Sequence, residues 1–149
     1  KLKLGGERKT LTVLFSDIRG FTTYSEKRQP EEVVEILNEY LDAMTKIIVD
    51  QKGTLDKYVG DEIMAVFGAP KYETPEISSK RAVVCALHML DRLKELHEEW
   101  KKRGLEPLDI GIGIACTGSS LAMTATARAA SPERRSVTSR SPSCVGSEV

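Results

Sequence analysis

Thr54-Leu-Asp-Lys-Tyr-Val-Gly-Asp-Glu-Ile-Met-Ala-Val-Phe-Gly-Ala-Pro70 carries the topology of this chain. Thr54 to Val59 reads as a short strand and Gly60-Asp61 as a turn. Ile63 to Phe67 follows as a strand too uniformly apolar for an exposed edge, with Met64 and Phe67 as core positions, and Gly68-Ala69-Pro70 ends it. This hairpin lies between two long amphipathic segments. Upstream, Val33, Val34, Leu37, Tyr40, Leu41, Met44, Ile47 and Ile48 recur at spacings of three and four. They predict a helix over about 30–49, with Pro30 in its first turn and Glu31 and Glu32 favourable to its dipole. Downstream, Val83, Leu87, Leu90 and Leu93 form one stripe of a second helix over about 76–103, flanked by Val84, Met89, Leu96 and Trp100. Gly104 and Pro107 mark its exit.

Outside the helices lie two more strands. Thr10-Leu-Thr-Val-Leu-Phe-Ser16 is β-branched and aromatic and is closed by Asp17 and the Arg19-Gly20 turn. Leu108-Asp-Ile-Gly-Ile-Gly-Ile114 alternates like a strand. The order is β-α-β-β-α-β, an α+β ferredoxin-like core with two helices on one face of a four-stranded antiparallel sheet. The right-handed crossover rule makes the first two strands parallel with a gap between them. The third strand fills that gap antiparallel to both. Asp17 at the end of the first strand and Asp61 at the start of the third are therefore expected at one rim of the sheet.

Composition fits this reading. The chain has 149 residues, 40% hydrophobic and 30% charged, with 22 basic and 22 acidic side chains giving no net charge. Length and balance suit a globular domain and argue against a surface devoted to nucleic acid. No apolar run is long enough to span a bilayer. Three cysteines, Cys85, Cys116 and Cys144, are too few and too scattered for a disulfide framework or metal cluster. Residues 1–9 read as a linker from an upstream module and 10–114 as the patterned core. The remainder, 115–149, holds eight Ser, six Ala, four Thr and four Arg with no aromatic residue. That tail is expected to be poorly ordered, or marginally helical around Leu121 to Ala130.

Two carboxylates at one rim repel unless one takes up a proton or both hold a cation. Hard divalent ions such as Mg²⁺ take one or two carboxylates together with substrate phosphates. Asp17 and Asp61 can bridge two ions, with a backbone carbonyl near Ile18 completing one shell. Behind Asp17, Ile18-Arg19-Gly20-Phe21-Thr22 is read as a tight bend whose N–H groups can receive phosphate oxygens. Taken singly, Asp-Ile-Arg-Gly and Gly-Asp equally suit ordinary turn aspartates. Arg19 suits a surface ion pair better than a phosphate, and Phe21 suits packing nearly as well as a pocket wall. Asp56 is expected to face solvent on the side of its strand opposite Lys57. His88 and His97 have no ligand partner at useful spacing, and Cys85 reads as a small helix-facing residue without redox work.

Phe15-Ser-Asp-Ile-Arg-Gly-Phe-Thr22, followed by Lys57-Tyr-Val-Gly-Asp-Glu-Ile-Met-Ala-Val-Phe-Gly-Ala-Pro70, closely resembles the class III adenylate/guanylate cyclase catalytic domain. The resemblance runs from about Glu7 to Ile114. It implies that Asp17 and Asp61 are the catalytic metal pair, holding two Mg²⁺ or Mn²⁺ ions. It further implies attack of the ribose 3′ oxygen on the α-phosphorus, giving a cyclic 3′,5′ nucleotide and pyrophosphate. Lys57 matches the family's purine-selecting lysine. An ammonium donates to adenine N1, whereas guanine N1 carries its own proton, so the lysine favours ATP.

The family's head-to-tail dimer draws the aspartates from one subunit and the base-reading lysine and an Asn-x-x-x-Arg pair from the other. The resemblance thus implies a homodimer, an upstream sensory or membrane module and a cytoplasmic setting, with no nucleic-acid partner. The departure comes after Ile114. Thr117-Gly118 is the last echo, and no Asn follows at all, so the transition-state Asn and Arg and the second base-selecting residue have no counterpart. The tail reads either as a natural low-complexity linker or as the product of a local change of reading frame, which explains so sharp a loss of pattern better than gradual divergence. The alternative to an adenylate cyclase is accordingly a catalytically weak or inactive cyclase-like module that binds nucleotide and regulates.

Overall fold

Alternation governs the first strand, β1 (Thr12–Ile18): Thr12, Leu14, Ser16 and Ile18 are buried, whereas Phe15 is 39% exposed. A computed structural model of the chain describes residues 9–117 and, for 122–127 and 136–140, the strand backbone. After β1 come a short helix α1 (Phe21–Glu26), α2 (Pro30–Asp50), the hairpin β2 (Thr54–Val59) and β3 (Glu62–Phe67), then α3 (Pro75–Lys102) and β4 (Ile110–Cys116). Two further strands, β5 (Ala122–Ala127) and β6 (Ser136–Arg140), complete a six-stranded antiparallel sheet in the order β2-β3-β1-β4-β5-β6. The first four strands have the expected split βαβ topology, with β3 between β1 and β2.

The expectation of four strands falls short by two. Ala122 to Ala127 is extended where a marginal helix was expected, because it pairs with the free side of β4 from Ile110↔Ala127 to Ala115↔Ala122. Residues 118–121, 128–135 and 141–149 of the expected tail lie outside the described residues.

Both long helices cover one face of the sheet. On α2 the buried line is Ile36, Tyr40, Met44 and Ile48, one residue every fourth position, while Val34 is 56% exposed. On α3 it runs through Ser78, Ala82, Cys85, Ala86, Met89, Leu93, Leu96 and Trp100. Leu87, expected on the buried stripe, is exposed. Small residues let the first half of α3 approach the sheet closely, and a reading based on large apolar residues follows the wrong line there. The Thr12 hydroxyl lies 3.1 Å from that of Ser78 and 3.2 Å from that of Ser79, tying the start of β1 to the start of α3. Phe67 is core as expected, but Met64 is only partly buried because it sits on the other face of β3.

That other face carries no helix among the described residues. Register places Asp17 opposite Gly111, Phe15 opposite Gly113 and Met64, and Met64 opposite Lys57.

Candidate functional site at the rim of the sheet

Register alone brings Ile18 and Asp61 level, since Ser16 pairs with Ile63 in antiparallel β1 and β3. The side chain completes the link: Ile18 N–H donates to Asp61 Oδ2 at 3.0 Å. Asp61 is thereby held at the end of β1, next to Asp17, as the topology requires. Both turns at this rim need glycine. Gly20 and Gly60 adopt φ of 66° and 62°, in the left-handed region where a side chain is costly.

Behind the carboxylates, Ser16 Oγ and the Tyr40 hydroxyl share a buried hydrogen bond of 2.8 Å. Burial pushes the Tyr40 hydroxyl well above its ordinary pKa; the Ser16 bond opposes this, and the fields of Asp17 and Asp61 add to it.

Arg19 turns back over the sheet, its Nη1 3.5 Å from Asp17 Oδ2. Its guanidinium lies against Gly111 so closely that a Cβ at that position would overlap it. The Arg19 N–H donates to the Asp109 carbonyl at 2.8 Å, which fixes its backbone beside the start of β4. The expected tight bend does not continue through Phe21 and Thr22: these open α1, after Gly20 at its N-terminal cap. That helix is fastened to the approach to β4. The Tyr24 hydroxyl donates to the Glu106 carbonyl at 3.1 Å, Arg28 stacks 3.7 Å over the Tyr24 ring, and Arg28 also pairs with Glu106.

Lys57 stands apart from the rim, two strands from Asp17, roughly 10 Å by sheet spacing. A register shift between Leu55 and Lys57 leaves Asp56 as the extra residue of a bulge. Leu55 opposes buried Ala65, whereas Lys57 opposes Met64, so the bulge moves the lysine to the helix-free face that also bears Asp17. The same bulge breaks the alternation expected of Asp56. Its carboxylate is 3.8 Å from Lys57 Nζ rather than directed to the opposite side.

His97 and Cys85 lie in the packed interior rather than on this rim. Buried His97 places Nε2 2.6 Å from the Leu108 carbonyl, and burial lowers its pKa despite that bond. Cys85 is pushed up to about 12 by burial. Among the described residues no group of three or more His, Cys, Asp or Glu converges on a metal position. Two carboxylates at one rim nevertheless fit a divalent ion that takes its other ligands from backbone and substrate phosphates. Gly111 enters the sequence reading only as a strand residue; its contact with Arg19 has no signal there beyond the Gly-x-Gly alternation that leaves one face of β4 without side chains.

Comparison with known proteins gives a consistent picture. A family model described as the adenylate and guanylate cyclase catalytic domain matches residues 6–130, past the point where the recognisable motifs end. Adenylate cyclase 1 of Rhizobium meliloti is 36% identical over 107 residues, 72% of this chain and 16% of that protein. An adenylate cyclase of Anabaena cylindrica is 38% identical over 112 residues, 70% of this chain and 20% of that protein. The chain thus spans no more than a fifth of these curated relatives. Among solved structures, the adenylyl cyclase CyaB of P. aeruginosa has a TM-score of 0.72 at 36% identity, covering 90% of this chain and 66% of its own. The guanylyl cyclase Cya2 has the same TM-score and identity, covering 92% and 66%.

Proposed function

The chain belongs to the adenylate and guanylate cyclase catalytic-domain family, and from that membership we propose that it converts ATP to 3′,5′-cyclic AMP and pyrophosphate at a site completed by a second copy. The observation that carries this reading is the Asp61 carboxylate fixed to the Ile18 N–H beside Asp17. Asp17, Asp61 and the Ile18 carbonyl would hold two Mg²⁺ or Mn²⁺ ions. Bound there, the ions supply activation of the ribose 3′ hydroxyl and neutralisation of charge on the leaving pyrophosphate.

The chain's own residues do the rest. Gly20 and the start of α1 present backbone N–H groups to the triphosphate, because those of Ile18 and Arg19 are already given to Asp61 and to the Asp109 carbonyl. Lys57 donates to adenine N1 of the nucleotide held by its partner. Lys57 and Asp17 lie on the same helix-free face, the face left for a second copy to cover. The lysine also separates ATP from GTP, a choice that resemblance to an adenylyl and a guanylyl cyclase leaves open.

A second reading has its own support. No Asn-x-x-x-Arg follows Ile114, and loss of such charge stabilisation slows a reaction by orders of magnitude. The chain would then bind metal and ATP as a regulatory module without turnover. Incubation with ATP and Mn²⁺, with cyclic AMP and pyrophosphate both measured, separates the two. Product in the wild type and none in Asp61→Asn supports the cyclase. ATP binding by calorimetry without product supports the module, and neither binding nor product rejects both.

A further inference from the structure

We propose that Arg19 competes with a divalent cation for the Asp17 carboxylate from a seat on Gly111, so that this arginine sets the metal affinity of the rim. The proposal rests on Asp17 and Asp61 being metal ligands and adds an internal competitor to that reading. Three placements support it. Arg19 Nη1 is 3.5 Å from Asp17 Oδ2. Asp17 and Gly111 are register partners on β1 and β4, so the guanidinium that pairs with the one lies against the other. A Cβ at position 111 would overlap Nε, Cζ and Nη2 of Arg19.

The guanidinium is planar and delocalised, and a bare glycine peptide offers it a flat surface. A metal ion approaching Asp17 must displace this cation or share the carboxylate with it. The pair is half exposed, with side chains 51% and 45% accessible, so the competition is modest. An exposed pair of this kind corresponds to about a two- to fivefold effect on binding.

Gly111→Ala isolates the seat, because it unseats the guanidinium without changing any charge. Mn²⁺ alone is titrated into wild type, Arg19→Gln, Gly111→Ala and Asp17→Asn, with free Mn²⁺ followed by electron paramagnetic resonance. Arg19→Gln and Gly111→Ala are expected to bind Mn²⁺ about two- to fivefold more tightly than wild type, and Asp17→Asn least tightly. Should Gly111→Ala not fold, Arg19→Lys makes the same comparison: it keeps the charge but cannot lie flat on the glycine. Unchanged or weaker binding in Gly111→Ala, with Asp17→Asn still impaired, overturns the competitor while leaving the metal reading intact. A purely structural Arg19 would give that weaker binding. Asp17→Asn equal to wild type overturns the metal site and this proposal together.

Discussion

Asp61 makes one observed bond and has one proposed metal-binding role, which one substitution can separate. Its carboxylate accepts the Ile18 N–H, and the amide oxygen of Asp61→Asn can still accept that bond. Only the charge is lost. The variant should keep its urea midpoint close to wild type while losing Mn²⁺ binding, both measured on the same preparation. Tyr40 behind the rim makes the opposite case. Tyr40→Phe leaves the fully buried Ser16 hydroxyl without its partner, and is expected to cost about 1–3 kcal/mol of unfolding free energy.

His97 gives the fold a pH dependence. Its folded pKa is below the ordinary value, so the unfolded chain binds the proton more readily. Its contribution is complete above the unfolded pKa of about 6.5 and is lost as pH falls through the lower folded value. Urea midpoints at pH 8 and pH 5.5 should therefore differ less in His97→Gln than in wild type; an equal difference would remove His97 as a cause.

At the scale of elements, the helix faces provide a direct check on packing. Leu93 is 1% exposed and Leu87 is 37% exposed, although the two lie on one stripe in the sequence. Leu93→Ala should cost about 2–5 kcal/mol, whereas Leu87→Ala should stay within about 0.5 kcal/mol, read from urea unfolding. The strand order and the meeting of Asp17 with Asp61 were legible in the sequence, because alternation and the handedness of the crossover restrict where Thr12–Ile18 and Glu62–Phe67 can lie. The face of Lys57 was not. A bulge after Leu55 inverts the alternation, and nothing in Leu-Asp-Lys announces it. α1 was hidden because Phe21 to Glu26 is too short for a helical period to show. The part played by Gly111 was invisible for a different reason: its contribution is the absence of a side chain, which matters only once Arg19 is known to lie there.

At the scale of the whole molecule, one face of the sheet is packed under two helices and the other is bare among the described residues, with Phe15 39% and Val59 57% exposed. Apolar side chains on such a face favour cover by another surface, and a second copy is the cover that the proposed site requires. Each copy would then bring its aspartate rim to its partner's Lys57. Mixing two defective variants tests this account most directly. Asp17→Asn and Lys57→Glu are each expected to form little cyclic AMP from ATP and Mn²⁺. In their mixed dimer, one site collects both defects and the other has neither, so random exchange of subunits should restore about a quarter of wild-type activity. Activity no greater than that of the two variants assayed apart would contradict a site shared between two copies of this chain.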